Sequence, residues 1–187
     1  AILIPHDSIN LEEGPFTLEV RLKARTLTGS RGLVTKTEQS EYGLFATDGR
    51  PEFWVMTGDE YLVARPESMT LEINEEYHIA GVWNGEEARL YVNGALVGRA
   101  AGKGPRRRNE LPLVIGGDVD SNGAATRFFS GEINDVRLSN VARYQGEEFT
   151  PPDRLKADDE TVALLEFGLA YGRLHPDDSG NQAHGTA

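Results

Sequence analysis

Turn residues recur at short intervals along the whole chain, and this spacing limits the fold more than any other feature. Asp48-Gly49, Asn84-Gly85 and Asn93-Gly94 each separate two apolar stretches, and Asn-Gly supplies the positive φ values of a type I′ hairpin turn. About a dozen short strands follow from turns spaced roughly 8–12 residues apart. No segment has the pattern of an amphipathic helix of about ten residues or more. The sequence therefore predicts an all-β antiparallel two-sheet sandwich or jelly roll.

One segment shows the alternation of a half-buried strand. Between positions 16 and 25, apolar residues such as Phe16 and Leu18 alternate with polar residues such as Thr17 and Glu19. Because successive side chains of a strand point to opposite faces, one face belongs to the core and the other is expected to face solvent.

Length and charge narrow the class of protein. The 187 residues fit one domain, expected to span 1–187 without a linker and to be excised from a larger protein. A net charge of −11 disfavours binding to nucleic acid or to an anionic membrane. The basic cluster at 103–108 is interpreted as a solvated loop, and no stretch predicts membrane insertion. The absence of cysteine excludes disulfides and thiolate metal sites.

Several stretches resemble one family in its own order. They are FFSGEINDVRLSNVARY at 128–144, FTPP at 149–152, TVALLEFG at 161–168, the hairpin at 77–98, the opening at 2–24 and DDSGNQAHGT at 177–186. Together they resemble laminin-G-like domains of the concanavalin A-like lectin/glucanase superfamily. The resemblance implies two packed antiparallel sheets with a concave face, in a module found mostly outside the cytoplasm. Several such modules bind carbohydrate or protein ligands with calcium, and the superfamily also contains glycosidases.

Catalysis is tested against the needs of glycoside hydrolysis. A retaining glycosidase places two carboxylates on one face, which Glu-x-Asp-x-Glu spacing achieves on a strand. Here Glu132 is followed by Asn134 and Asp135, with no second glutamate. The four histidines are dispersed, and no Gly-x-Ser-x-Gly elbow is present. We expect no enzyme activity.

Calcium is the favoured cofactor because hard cations prefer clustered oxygen ligands. Asp118, Asp120 and Asn122 copy the first half of an EF-hand loop, with Gly123 at its sixth position. The alternative is a polar loop whose side chains make turn hydrogen bonds.

The family resemblance implies a second calcium site near the C-terminus. Asp178 would supply the carboxylate and Asn181 a main-chain oxygen, while Asp135 could complete either site from a neighbouring strand. A plain Asx turn is the alternative reading of this segment.

A ligand surface for sugars requires exposed aromatic rings beside polar groups. Trp54, Tyr61, Arg65 and Trp83 are the candidates, with core packing as the alternative for Trp83. Together with the family resemblance, which implies the location and the kind of ligand, the sequence predicts a non-catalytic extracellular, cell-surface or periplasmic module that binds carbohydrate or a protein surface. A structural or adhesive domain without a small ligand, and a divergent glycoside hydrolase, are the alternatives.

Overall fold

The computed structural model describes residues 1–9, 11, 13–168 and 173–187. A 3-10 helix at His6–Ser8 follows the first strand. The strands, in chain order, are β1 Ile2–Ile4, β2 Phe16–Ala24, β3 Ser30–Thr35, β4 Tyr42–Thr47, β5 Arg50–Thr57, β6 Glu60–Ala64, β7 Glu76–Trp83, β8 Glu87–Val92, β9 Ala95–Ala101, β10 Leu113–Ile115, β11 Asp118–Val119, β12 Ala125–Thr126, β13 Gly131–Ser139, β14 Thr161–Glu166, β15 Leu174–His175 and β16 Gly185–Thr186. In this described part, no helix has the length and apolar character that a membrane span requires.

Two large antiparallel sheets account for the fold. Within the described ranges, one has eight strands in the order β15-β16-β1-β10-β3-β4-β5-β6 and the other has six in the order β14-β13-β2-β7-β8-β9, while β11 and β12 form a separate hairpin. The antiparallel two-sheet sandwich predicted from the turn spacing is confirmed.

The core lies between the two sheets and depends on close aromatic packing. Phe16 of β2 contacts Tyr42 and Phe53 of the opposite sheet, with ring centroids 4.6 and 5.9 Å away. Gly81 of β7 faces the Phe53 ring so closely that a Cβ atom would lie 2.2 Å from it. Only glycine allows the sheets to approach in this way.

Part of the outer face of the six-stranded sheet is covered, which corrects the prediction that Thr17 and Glu19 face solvent; Arg21 and Lys23, further along β2, are half-buried. Thr17 and Glu19 are both 0% exposed. The segment 141–156 covers them, and the ring of Phe149 stacks on Tyr144 with centroids 3.5 Å apart. A second small core therefore lies outside this sheet.

Glu19 is the centre of a charged cluster beneath this cover. Arg137 donates to its carboxylate through Nε at 2.8 Å and Nη2 at 2.7 Å. Tyr144 donates at 2.7 Å and His78 Nε2 lies 3.1 Å away. Burial alone would raise the pKa of Glu19, but the His78 hydrogen bond and the Arg137 charge outweigh it and hold the pKa below its ordinary value. The cluster fixes the cover to the sheet.

Two of the three predicted turns have the expected conformation. Asp48-Gly49 and Asn93-Gly94 are two-residue connections with positive φ at both positions. At Asn84-Gly85 only the glycine has positive φ. The Asn84 side chain instead accepts hydrogen bonds from the backbone N–H groups of Glu86 and Glu87, which closes a longer Asx-type turn.

Candidate functional site

Three aromatic rings lie in a diagonal row on the outer face of the eight-stranded sheet. Trp54 of β5 is half-buried, with its ring centroid 5.0 Å from Phe45 and 5.3 Å from Tyr61. Strand pairing explains the row, because Phe45 and Tyr61 lie on the strands that flank Trp54 and point to the same face. We call Phe45, Trp54 and Tyr61 the aromatic patch.

Arg65, a predicted ligand-binding residue, reaches this patch through Glu52. The Glu52 carboxylate is buried and accepts a hydrogen bond from Trp54 Nε1 at 3.0 Å. Arg50 Nε and Arg65 Nη1 each lie 3.7 Å from its other oxygen. Sequence reasoning missed Glu52. Its position two residues before Trp54 on a strand was the available signal, since alternate residues share a face.

Tyr61 is fixed by the loop between β3 and β4. Its hydroxyl donates to Ser40 O at 2.8 Å and accepts from Ser40 N at 3.0 Å. Burial raises the pKa of Tyr61, and the carboxylates of Asp118 and Glu38 add to this rise against the opposing Ser40 hydrogen bond. The aromatic patch and the acidic loop at Asp118, predicted as separate features, are therefore neighbours.

The loop that carries Ser40 has an unfavourable backbone. Glu38, Gln39 and Glu41 have φ values of +85°, +54° and +53°, in the region that side chains other than glycine rarely adopt. Such strain persists only where surrounding contacts impose it, and it clusters at functional sites.

A buried polar network imposes this conformation. Lys36 Nζ donates to Asn109 Oδ1 at 2.7 Å and lies 3.5 Å from Glu41 Oε1. Burial lowers the pKa of Lys36, and the Glu41 charge opposes that shift. Arg106, from the cluster interpreted as a solvated loop, is only 5% exposed and lies 2.9 Å from Glu41. Its guanidinium lies over the ring of Tyr42, 5.6 Å from the centroid.

The predicted calcium loop lies on the same side of the eight-stranded sheet. Thr37 Oγ1 donates to Asp118 Oδ1 at 2.6 Å, and Arg127 Nη1 lies 3.4 Å from Oδ2. Asp120 Oδ1 accepts hydrogen bonds from Asn122 N at 2.8 Å and from Ala124 N. Both carboxylates thus hold the loop itself, which is a poor fit to a metal site.

The two C-terminal metal candidates, Asp178 and Asn181, do not form a common site. Asp178 is exposed, and the neighbouring Asp177 is the buried carboxylate that organises this turn through hydrogen bonds from Leu164 N and Ala183 N. Asn181 Nδ2 donates to Thr161 O at 2.8 Å. Across the described ranges, no group of three or more His, Asp or Glu residues is arranged to hold a metal ion.

Asp135 differs from the other predicted metal residues in having a buried carboxylate oxygen without a hydrogen bond in the described part of the chain. It is 4% exposed, and its Oδ1 has no hydrogen-bond partner within the described structure. Oδ2 accepts from Leu155 N at 3.2 Å, and Arg21 Nε lies 3.9 Å from Oδ1. Burial raises the pKa of Asp135, with opposing contributions from the Leu155 N–H and the Arg21 charge.

Asp135 lines an open groove of about 580 Å³ at one end of the six-stranded sheet. The groove is lined by Arg21, Glu132, Ile133, Asn134, Asp135, Asp153, Arg154, Glu166, Phe167 and Gly168. Glu132 forms an ion pair with the exposed Arg25 at 2.8 Å, and Glu166 with Arg154. The groove belongs to the six-stranded sheet, whereas the aromatic patch lies on the eight-stranded sheet. None of the three rings of the patch lines the groove.

Trp83, the remaining ligand candidate, lies elsewhere. It is 3% exposed and belongs to the core between the sheets. Its ring has no surface on which a ligand could stack. The structure therefore brings together Trp54, Tyr61 and Arg65, and separates Trp83 from them.

A family profile described as the concanavalin A-like lectin/glucanases superfamily, in its laminin-G-like branch, matches residues 1–147. A search of curated protein sequences found no match to this chain.

Solved structures with a similar fold include three modules. A proposed carbohydrate-binding protein from Bacteroides ovatus is 15% identical with a TM-score of 0.73, covering 99% of this chain and 55% of that one, so the chain spans about half its length. Domains LG4-5 of the mouse laminin α1 chain are 18% identical with a TM-score of 0.59, covering 82% of this chain and 44% of that one. The CBM40 of a Ruminococcus gnavus IT-sialidase, bound to α2,3-sialyllactose, is 18% identical with a TM-score of 0.52, covering 66% and 72%. At these identities the likeness shows a shared fold.

Proposed function

Because the chain belongs to the concanavalin A-like lectin/glucanase superfamily, we propose that it is a non-catalytic carbohydrate-recognition module whose site is the aromatic patch. One observation carries this proposal. Trp54 is a half-buried ring on a rigid sheet, with Tyr61 and the Glu52–Arg65 pair beside it. An aromatic platform next to fixed donors and acceptors is suited to the apolar face and the hydroxyl groups of a sugar.

The geometry of the patch favours binding without large rearrangement. Tyr61 is fixed through Ser40, and Trp54 through its hydrogen bond to Glu52. Side chains that are already ordered lose little conformational entropy when a ligand binds. The strained loop at 38–41 is consistent with a site held in its binding conformation.

The pairing of carboxylates supports the absence of catalysis. A β-bulge between Ile133 and Asp135 turns Glu132 and Asp135 to one side of β13, as their pairing with Lys23 and Arg21 shows. Glu132 nevertheless pairs with Arg25, and Asp135 faces Arg21. A glycosidase needs two carboxylates directed at a substrate rather than at arginines.

We propose that calcium binds at Asp135 and not at the loop that carries Asp118. The buried Asp135 Oδ1 has no hydrogen-bond partner among the described residues and lies 3.9 Å from Arg21 Nε, whereas the Asp118 carboxylate accepts from Thr37 and lies 3.4 Å from Arg127. A cation there would stabilise the middle of β13 and thus the sandwich, at a distance from the sugar site. We further propose an extracellular, cell-surface or periplasmic location, as part of a longer protein.

A glycan array tests the carbohydrate proposal directly. The protein should bind a coherent set of related glycans, and Trp54→Ala should lose those signals while remaining folded, at a stability lowered by the loss of its contacts with Tyr61 and Glu52. Uniform silence of the wild-type protein across the array would contradict the proposal and favour a purely structural domain.

A further inference from the structure

A further aromatic ring, that of Phe128, belongs to a loop on the same side of the eight-stranded sheet as Trp54. Phe128 is 54% exposed, which is unusual for a phenylalanine. Its ring packs beside the backbone of Gly117, where a Cβ atom would lie 3.5 Å from it. Phe128 lies before β13, which begins at Gly131.

The loop that carries Phe128 is fixed to the face of the sheet. Thr35, which shares a cross-strand row with Gly43 and Trp54, donates through Oγ1 to Gly117 O at 3.0 Å. Gly32 makes this contact possible, because a Cβ atom there would lie 2.2 Å from Gly117 O. The loop therefore stands on the Trp54 side of the sheet.

The part of the loop on the C-terminal side, residues 127–129, is also hydrogen-bonded to the sheet and to Gly116. Gly32 N donates to Arg127 O at 3.1 Å, and Phe129 N donates to Gly116 O at 3.1 Å. Arg127, next to Phe128, has a φ of +41°, a strained value for a residue with a side chain. Contacts on both sides thus hold Phe128 in one place relative to the sheet.

The two rings are too far apart to share one sugar. Gly117 lies over β3, and Trp54 lies on β5, which is two strands away in the sheet. Neighbouring strands are about 4.8 Å apart, so Trp54 and Phe128 are separated by roughly 10 Å or more. That distance exceeds the width of a single pyranose ring.

Resting on the proposed function, we propose that Phe128 is a second sugar-stacking position and that the ligand is an oligosaccharide chain of several units. Trp54 contacts one unit and Phe128 a more distant one. A single terminal sugar would contact only one of the two rings. Phe128 is therefore a specificity-determining residue for chain length.

The test is the dependence of affinity on chain length. Wild type, Phe128→Ala, Trp54→Ala and Ile73→Ala are titrated with soluble homo-oligosaccharides of glucose, mannose, xylose and N-acetylglucosamine, each from disaccharide to hexasaccharide. Ile73 is also 54% exposed, on a different loop, and is the matched control for truncating an exposed apolar side chain.

For the series that binds, wild-type affinity should rise with length. Phe128→Ala should lower hexasaccharide affinity about tenfold, as expected for truncation of a contacting aromatic, and leave disaccharide affinity unchanged. Ile73→Ala should match the wild type. If Phe128→Ala keeps the wild-type length dependence while Trp54→Ala abolishes binding, the second position is refuted and the proposed function stands. If no series binds and the array is silent, the proposed function fails.

Discussion

Trp54 and Tyr61 lie on neighbouring strands with their ring centroids 5.3 Å apart, and the Tyr61 hydroxyl makes two hydrogen bonds to the backbone of Ser40. The position of the aromatic patch therefore depends on a loop that is distant in sequence. This relationship connects the local geometry of the proposed sugar site to the strained segment at 38–41.

Tyr61→Phe should remove the hydroxyl group with its two hydrogen bonds and keep the aromatic ring. Losing two bonds to Ser40 is expected to lower stability by about 1–2 kcal/mol and to weaken glycan binding several-fold, because the loop is no longer fixed. Isothermal titration and urea unfolding measure the two effects. Tyr77→Phe is the control, since its hydroxyl accepts from Glu72 N and not from Ser40. A loss of binding in Tyr77→Phe alone would contradict the assigned surface.

Glu19→Gln should be among the most destabilising single changes. It removes the charge that Arg137 and His78 share in a buried cluster, and breaking a buried ion pair costs about 3–5 kcal/mol. Urea unfolding at neutral pH measures the loss. Glu132→Gln, which breaks the exposed pair with Arg25, should cost no more than about 1 kcal/mol. Equal losses in the two variants would contradict the account of the cluster.

The Glu19 effect should also depend on pH. A carboxylate whose folded pKa is lowered contributes stability above its unfolded pKa, here an ordinary value of 4.5, and that contribution is lost as the pH falls through the lowered folded pKa. The difference between wild type and Glu19→Gln should therefore be full at pH 7 and shrink below about pH 4.5. A difference that grows on acidification would contradict the lowered pKa.

Sequence patterns predicted local features well. The hairpins joining β4 to β5 and β8 to β9 are specified by two adjacent turn residues, so their strands were foreseeable. The burial of Glu19 was not, because the segment 141–156 that covers it is distant in sequence and has no periodic pattern. The alternation in β2 correctly indicated a strand. It cannot show whether the polar face of that strand is exposed to solvent or covered by another segment of the chain.

The proposed sugar site was also predicted only in part, because local strand pairing is visible in the sequence and long-range contacts are not. Trp54, Tyr61 and Arg65 lie on two consecutive strands, and their shared surface follows from hairpin register. Phe128 and Asp118 reach the same side of the sheet through long-range contacts, among them the close approach of Gly117 to Gly32. A contact between two distant glycines leaves no pattern in the sequence.

Calcium and Asp135→Asn should each raise thermal stability, and the two effects should not add. The folded pKa of Asp135 is raised above its ordinary 3.8, so this carboxyl stabilises the fold below that pH and its ionised form destabilises it near neutrality. In chelator at pH 7, Asp135→Asn should therefore melt above the wild type. Calcium at a hundredfold excess over Kd should stabilise the wild type by about 2.7 kcal/mol, a shift of several degrees, and leave Asp135→Asn unchanged.

The control for the metal proposal is Asp118→Asn, which should keep the calcium shift because that carboxylate holds its own loop. Identical wild-type melts in calcium and chelator would refute calcium binding. A shift lost only in Asp118→Asn would move the site to the acidic loop.

Gly32→Ala should detach the loop that carries Phe128. An added Cβ would lie 2.2 Å from Gly117 O, and relieving such a collision costs about 1–3 kcal/mol. Long oligosaccharides should lose affinity as they do in Phe128→Ala. Gly168→Ala, where nothing lies within 4 Å of the new atom, is the control and should behave as wild type. Unchanged stability and binding in Gly32→Ala would show that the loop is not held in this way.

The most direct test of the sugar site is the affinity of Trp54 variants for the glycan that gives the strongest array signal, measured by isothermal titration. Trp54→Ala should weaken binding at least about tenfold, while Trp54→Phe, which keeps an aromatic surface, should retain most of the affinity. Asn134→Ala, in the groove of the opposite sheet, should bind as wild type. Wild-type affinity in Trp54→Ala together with lost affinity in Asn134→Ala would contradict the account and place the ligand in that groove.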